Sequence, residues 1–204
     1  PRRYGKTTLL GRVLAATEQR GSATVLVDLQ DVLSIAEIVV RIERAYERLK
    51  GPVRRQVESL FRSWNIGLSL GGGGFTATLQ RNPRVDAESV LLRLLELPVA
   101  LFDRQGTTSL IVFDEIQDVL AVPGADGKIR SVIQHQGEAA TYAFVGSAPG
   151  VMQQLFADPK RPLLDQAVPR HLDPLPPADV ADYVAGRFEQ SGRQVGAALT
   201  PFLE

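Results

Sequence analysis

The sequence predicts an α/β protein in which helices cover both faces of a parallel β-sheet, giving a three-layer sandwich. Three short, mainly apolar runs are predicted to be strands of the sheet, at residues 23–29, 109–115 and 141–147, and the apolar run at 23–29 suits a strand that is buried on both faces. Helical patterns alternate with these runs, and such alternation gives a doubly wound sheet. Because ligands of such sheets bind at the carboxyl ends of the strands, the residues that end the runs are candidates for function.

The predicted helices follow from apolar periodicity and from residues that start or stop a helix. Ser34 and Glu37 form a capping box, and the helix that they start should run to residue 50 and stop at Gly51-Pro52. The other predicted helices span residues 7–19, 53–63, 87–103 (bent or broken near Pro98), 128–139, 151–156 and 178–190.

A β-hairpin is predicted between two of these helices, in the stretch WNIGLSL-GGGG-FTATLQ that begins at Trp64. Apolar residues alternate on both sides of the four glycines, as they do in paired strands. The glycines could also suggest a second phosphate loop. No helix start and no Lys-Ser/Thr pair follows them, so a flexible hairpin turn is favoured.

The composition excludes several classes of protein. The 204 residues include 23 basic and 23 acidic side chains, and a net charge of zero argues against coating nucleic acid by charge alone. The lack of cysteine excludes disulfides and cysteine-ligated metals. No apolar run approaches the ~18–20 residues of a membrane span. A reducing cytoplasm is the expected location, and no membrane partner is expected.

The N-terminal stretch PRRYGKT matches the phosphate-loop pattern G-x-x-x-x-G-K-[ST] except for its first glycine, which would precede Pro1. The sequence is therefore expected to start inside this loop. Gly5 lets the backbone approach phosphate, Lys6 supplies a charge to the β and γ phosphates, and the Thr7 hydroxyl can bind Mg²⁺. The predicted nucleotide-binding residues of this stretch are Pro1, Arg2, Arg3, Tyr4, Gly5, Lys6, Thr7 and Thr8.

The second apolar run ends in the acidic pair Asp114-Glu115. Asp114 is predicted to bind the nucleotide through Mg²⁺, and Glu115 is predicted to act as the general base for the attacking water. A pair of acids after a buried strand can also be a helix cap or a surface pair. Ser147 ends the third run and could contact the γ-phosphate or the attacking water, or cap the next helix. The predicted catalytic residues are Lys6, Glu115 and Ser147.

The order of these motifs is that of additional-strand NTPases rather than of small GTPases. Over nearly all its length, the sequence resembles the archaeal-type AAA+ ATPases, which are related to the STAND signalling ATPases and the origin-recognition ATPases. The stretches that carry the resemblance are PRRYGKTTLL, VLVDL, LLELPVALFDRQG before LIVFDEIQDV, IRSVIQHQ, AFVGSAPGVMQQLF and HLDPLPPADVADYVAGRFEQSG.

The resemblance implies a P-loop ATPase core at residues 1–174, with a strand ahead of Pro1, and the beginning of a helical lid at residues 175–204. It implies that ATP and Mg²⁺ are ligands, and it leaves open whether the protein forms a homo-oligomer. It also leaves open a client protein or nucleic acid that binds through domains outside this sequence. One departure concerns PLYGRA, which members of the family tend to carry where this chain has PLLDQA. Gln166 replaces the arginine, so either Arg161 or Arg170 compensates or turnover is slow.

Three functions remain open at this point. The first is a switch or motor module that binds and hydrolyses Mg-ATP. The second is a nucleotide-dependent scaffold or signalling module with little turnover, which Gln166 favours. The third is a DNA-binding initiator-like ATPase, which would need a winged-helix domain, and the neutral charge of the sequence weighs against it.

Overall fold

The computed structural model describes residues 5–64, 86–173 and 175–193. Three strands form a parallel sheet in the order β1-β2-β3: β1 (Ala23–Asp28), β2 (Ser109–Asp114) and β3 (Ala140–Phe144). This confirms the α/β class and the parallel sheet. The predicted hairpin lies outside the described residues, apart from Trp64.

Seven α-helices and one short 3₁₀ helix are found in the described part of the chain. The α-helices are α1 (Lys6–Gln19), α2 (Ile35–Glu47), α3 (Gly51–Trp64), α4 (Ala87–Gln105), α5 (Ala125–Ile133), α6 (Pro149–Ala157) and α7 (Pro177–Gln190). The 3₁₀ helix, Ile116–Ala121, follows β2 directly. None of the described helices combines the length and the apolar character that crossing a membrane requires.

The start of α2 has the Ser34 half of the predicted capping box, while the Glu37 carboxylate bonds to Leu33 instead of Ser34. The end of the helix differs from the prediction. The Glu37 N–H donates to Ser34 Oγ (3.2 Å), and the Glu37 carboxylate accepts from the N–H of Leu33. The helix ends at Glu47 rather than at residue 50. Gly51-Pro52 begins α3 instead of only stopping α2. Proline is tolerated in a first helical turn because its missing N–H would have no partner there.

Pro98 does not break α4, which runs continuously from Ala87 to Gln105. A proline inside a helix leaves the carbonyl four residues earlier without its usual donor. Here that carbonyl belongs to Leu94, and the hydroxyl of Tyr46 on α2 donates to it across 3.5 Å. Burial raises the pKa of Tyr46, so the hydroxyl keeps the proton that it donates. The adjacent carbonyl of Leu95 accepts from Gln136 Nε2 (2.9 Å).

Tyr46→Phe is expected to lower the free energy of unfolding by about 1–2 kcal/mol, because the buried Leu94 carbonyl loses its side-chain donor. Chemical denaturation followed by circular dichroism measures this change. Tyr183→Phe is the matched control, since Tyr183 is 68% exposed, and it should leave stability unchanged. A Tyr46→Phe protein as stable as the parent would contradict this account of how α4 continues through its proline.

The third strand and the helix before it are shorter than predicted. The α5 helix ends at Ile133, six residues before the expected end. The side chain of Gln136 is buried and bonds to the carbonyl of Leu95 and to the hydroxyl of Tyr142 (2.6 Å). These bonds hold Gln136 in a position beyond the end of the helix. The strand β3 ends at Phe144, so that Ser147 lies in the loop before α6.

The core surrounds the sheet, whose central strand is β2. Ile111, Val112 and Phe113 of β2 are buried, and the rings of Tyr142 and Phe144 stack against Phe113 with centroids 6.2 and 6.0 Å away. Helices α2 and α4 pack against one another, and α2 also packs against β1. The continuous apolar character of the central strand therefore reflects burial on both of its faces.

The predicted apolar face of α1 is not buried. No residue of α1 is buried, and Leu9 and Val13 each keep 45% of their surface exposed. No other described element packs extensively against this helix. An amphipathic pattern predicts a face that can be buried, and burial itself needs a packing partner.

The chain divides into two compact units. Of the described residues, 7–64 and 86–168 form one unit, which contains the sheet, and residues 5, 6, 169–173 and 175–193 belong to the other. Helix α7 lies in the second unit. The predicted division into an ATPase core and the beginning of a lid stays a prediction.

Candidate active site

The carboxyl edge of the sheet holds acidic residues side by side. Asp28, at the end of β1, is the register partner of Asp114, at the end of β2. Beyond the strands, the N–H of Val145 donates to Phe113 O (2.8 Å), and the N–H of Ile116 donates to Val145 O (3.1 Å). These two bonds keep the segment after β2 beside the segment after β3.

Glu115 adopts an unusual backbone conformation at this edge. Its φ and ψ are 51° and 41°, in the left-handed region, which costs a residue with a side chain roughly 1–2 kcal/mol. Glu115 is the N-cap residue of the 3₁₀ helix, but its side chain makes no capping hydrogen bond. The alternative that this carboxylate serves as a helix cap is therefore wrong. Strained backbone of this kind is often found at functional sites.

The side chain of Glu115 turns toward the loop after β3. Its Oε2 accepts from the hydroxyl of Ser147 (2.6 Å), from the N–H of Ser147 (3.2 Å) and from Gln117 Nε2 (2.6 Å). Ser147 does not cap the helix that follows, because the N-cap residue of α6 is Ala148 and no side chain caps it. The structure thus brings together two of the residues that the sequence predicts to be catalytic.

Asp114 adjoins this cluster. One of its carboxylate oxygens, Oδ1, accepts from the N–H of Glu115 (3.1 Å), and its carbonyl accepts from the N–H of Leu29 (2.9 Å). The side chain is half-buried. A carboxylate and a hydroxyl suit Mg²⁺, so Asp114 and Thr7 are the residues that could hold it.

No group of three or more potential metal-ligating side chains occurs among residues 5–64, 86–173 and 175–193. In nucleotide sites, Mg²⁺ is usually held by one or two carboxylates together with phosphates and water. The donor set of Asp114 and Thr7 fits that pattern.

Of the predicted phosphate loop, the structure describes the residues from Gly5 onward. Gly5 has a φ of 76°, which glycine adopts without strain, and a β-carbon at this position would meet no atom within 4 Å. Lys6 is the first residue of α1, and Thr7 and Thr8 follow it in the first helical turn. The N–H groups of a first helical turn suit the binding of an anion. Residues 1–4 lie outside the described part of the chain.

The loop after α6 contains the position at which the resemblance places an arginine. Gln166 is half-buried, and its N–H donates to the carbonyl of the buried Leu163 (3.1 Å). Arg161 forms an ion pair with Asp126 of α5, with 3.7 Å between Nη1 and Oδ2. Arg170 is exposed and belongs to the second compact unit. Arg161 is therefore already paired within its own chain.

Sequence reasoning gave no role to two residues of the cluster, Gln117 and Gly146. The structure shows that Gln117 Nε2 donates to Glu115 Oε2. A side chain on Gly146 would collide with Gln117 Oε1 at 2.5 Å. The signals in the sequence were an amide two residues after the acidic pair and a glycine just before Ser147.

Comparison with solved structures shows which fold this is. The chain is similar to the Walker-type ATPase of Pyrococcus abyssi, with a TM-score of 0.60 and 16% identity over 96% of this chain and 53% of that one. It is also similar to the ORC2 protein of Aeropyrum pernix in ADPNP-ADP complexes. The TM-score is 0.52 and the identity 16%, over 91% of this chain and 43% of that one. A further similar structure is the ORC1 protein of Aeropyrum pernix in complex with DNA. Its TM-score is 0.50 and its identity 18%, over 92% of this chain and 41% of that one. No family model and no curated protein matches the sequence.

At these identities the likeness shows the fold alone. The chain shares its α/β fold with these solved structures, and its parallel sheet is the one that the sequence predicts. It spans about half of the length of the solved structures that it matches, which are covered to 53%, 43% and 41%. The relation to the STAND signalling ATPases stays a prediction.

Proposed function

We propose that this chain is the core of an ATPase module that binds and hydrolyses Mg-ATP to drive a conformational switch. The observation that carries the proposal is the hydrogen-bonded pair of Glu115 and Ser147 at the carboxyl edge of the sheet. This edge is where parallel α/β sheets bind their ligands. The fold shared with a Walker-type ATPase and with the nucleotide-bound ORC2 protein supports the same proposal.

In this proposal, the N-terminal loop and the first turn of α1 bind the phosphates. Gly5 permits close approach of the backbone, Lys6 supplies positive charge, and the flanking residues of the loop and Thr8 complete the cradle. Thr7 and Asp114 hold Mg²⁺, which neutralises charge that develops on the phosphate oxygens. The ORC2 structure was solved with nucleotide, which supports nucleotide as the ligand class.

Glu115 is the general base of the proposed reaction. A carboxylate can accept the proton of a water that attacks the γ-phosphate, and general-base catalysis typically contributes about 10²–10⁴-fold in rate. Ser147 holds one oxygen of that carboxylate through its hydroxyl and its N–H. The same hydroxyl could report the presence of the γ-phosphate, because a new partner would compete for it.

Phosphate release from Mg-ATP by the full-length protein that carries this sequence tests the proposal. Steady release that requires Mg²⁺ is expected. ATP binding without release would favour the alternative, a nucleotide-dependent scaffold or signalling module. Gln166 is the residue that favours this alternative, because an amide lacks the charge with which an arginine contributes roughly 10³–10⁵-fold in related reactions.

Slow turnover in the parent and faster turnover in Gln166→Arg are expected, provided that subunits associate. The guanidinium would stabilise transition-state charge on a neighbouring subunit, and a gain of at least about 10-fold is expected. Turnover per subunit is measured across a dilution series, with Arg161→Ala and Arg170→Ala in parallel. The Asp126 ion pair occupies Arg161, so a larger loss is expected for Arg170→Ala.

Gln153→Arg is the matched control, because it makes the same change at an exposed position of α6. It should leave turnover unchanged. A fast parent rate that is independent of concentration and unaffected by all three changes would rule out an arginine finger in this loop.

The charge of the sequence argues against a DNA-binding, initiator-like role. The ORC1 structure contains DNA, but the net charge of this sequence is zero, and phosphate contacts depend on basic side chains. A client protein or nucleic acid, a homo-oligomeric state and a cytoplasmic location remain parts of the proposal that concern the full-length protein.

A further inference from the structure

The amide of Gln117 lies between two carboxylates. Its Nε2 donates to Glu115 Oε2 (2.6 Å) and to Asp118 Oδ1 (3.2 Å). Because both partners can only accept when they are ionised, the nitrogen must face them and the oxygen must point away. That oxygen is buried and has no hydrogen-bond partner among the described residues.

A glycine makes room for this side chain. A β-carbon on Gly146 would lie 2.5 Å from Gln117 Oε1 and would also collide with Met152 Sδ. Atoms at such separations overlap, so any larger residue would displace both Gln117 and Met152. The two carboxylates therefore fix the nitrogen of the Gln117 amide, and the missing side chain of Gly146 leaves the space that its oxygen occupies.

The hydrogen bonds of Gln117 belong to a chain that spans the carboxyl edge of the sheet. Asp118 Oδ2 accepts from the N–H of Asp31 (2.8 Å), in the loop after β1. Glu115 Oε2 accepts from Ser147, in the loop after β3. Gln117 links the Asp118 carboxylate to the Glu115 carboxylate. Its amide donates a hydrogen bond to each of them, which offsets the repulsion between their like charges.

We propose that Gln117 is a positioning residue that holds the Glu115 carboxylate against Ser147, and that Gly146 is required for its placement. The proposal rests on the proposed role of Glu115 as general base. A base must lie within hydrogen-bond reach of the water that it deprotonates. Without Gln117, the Glu115 side chain gains rotational freedom, and a misplacement of about 1 Å can cost about 10²-fold in rate.

Gln117→Met tests the proposal, because it keeps the length of the side chain and removes the amide donor. We expect kcat for ATP hydrolysis by the full-length protein to fall by about 10- to 100-fold, with KM for ATP unchanged. Gly146→Ala should reproduce the loss, since its β-carbon displaces Gln117. Gly150→Ala on α6, where a β-carbon meets open space, is the matched control and should behave like the parent.

A double-mutant cycle separates positioning from a merely structural effect. In the Glu115→Gln background, Gln117→Met should cause no further loss of turnover, because the group that it positions is gone. A further loss of the same size, a changed KM, or a Gln117→Met protein with parental kcat would overturn the proposal. If Glu115→Gln itself leaves turnover unchanged, or the parent releases no phosphate, the proposed role of Glu115 fails, and the positioning role falls with it. Melting temperatures of all variants identify any loss caused by unfolding.

Discussion

Glu115→Gln should keep Mg-ATP bound and reduce turnover by about 10²–10⁴-fold. The amide preserves the length of the side chain and can still accept from Ser147 through its oxygen. It cannot take a proton from water at neutral pH, so the proposed base is removed with little change of shape. Phosphate release and ATP affinity, measured on the same preparation of the full-length protein, check both parts of this prediction.

Glu138→Gln is the matched control for this change. Glu138 is exposed and lies just before β3, whereas Glu115 follows the carboxyl end of β2. The same exchange of carboxylate for amide should leave turnover at the parental value there. Asp114→Asn is expected to weaken the dependence of ATP binding on Mg²⁺. If Glu115→Gln and Asp114→Asn both hydrolyse ATP like the parent, the acidic pair serves the structure only.

Lys6→Ala should remove detectable binding of Mg-ATP, a loss of at least roughly 100-fold in affinity, because charged hydrogen bonds to phosphate are lost. Folding should change little. Lys6 opens α1, and the dipole at a helix N-terminus disfavours a cation there. Isothermal titration with ATP and a thermal melt, both on the full-length protein, measure the two expectations.

Lys50→Ala provides the comparison for Lys6→Ala, since Lys50 is an exposed lysine between α2 and α3. It should bind ATP like the parent. Unchanged affinity in Lys6→Ala would contradict the assignment of the N-terminal stretch as a phosphate loop, whatever the result for the acidic pair.

The strands could be predicted from the sequence because their signal is local. A strand buried on both faces must be apolar along its length, as residues 110–113 are, and this pattern is visible without knowing what packs against it. The capping box of Ser34 and Glu37 is also local, with both partners within one helical turn. Features of this kind depend on residues that are neighbours in the sequence.

Features that depend on distant residues could not be predicted. The sequence predicts that Pro98 bends or breaks α4, and the helix is not broken. A hydroxyl from Tyr46, 48 residues earlier in the chain than Leu94, satisfies the carbonyl that the proline leaves without a donor. The end of α5 depends on Gln136, whose partner Leu95 is 41 residues away. Local propensity carries no information about such partners.

In the candidate site, too, the local features could be predicted from the sequence and the contacts between distant residues could not. The acidic pair and Ser147 could be predicted as candidates because they end or follow apolar segments of the sequence, although Ser147 lies in the loop beyond β3. The hydrogen bond between Glu115 and Ser147 joins residues that are 32 apart in the sequence. The left-handed backbone conformation of Glu115 has no local sequence signal. The role of Gln117 depends on Gly146 in another loop, so it becomes visible only when both loops are placed.

The nucleotide that remains bound after incubation tests the central claim most directly. The full-length parent and its Glu115→Gln variant are each incubated with excess Mg-ATP, freed of unbound nucleotide and denatured, and the released nucleotide is identified by chromatography. The account predicts ADP from the parent and intact ATP from Glu115→Gln. Intact ATP from both proteins, or no nucleotide from either, would contradict the claim that Glu115 drives the hydrolysis of bound ATP.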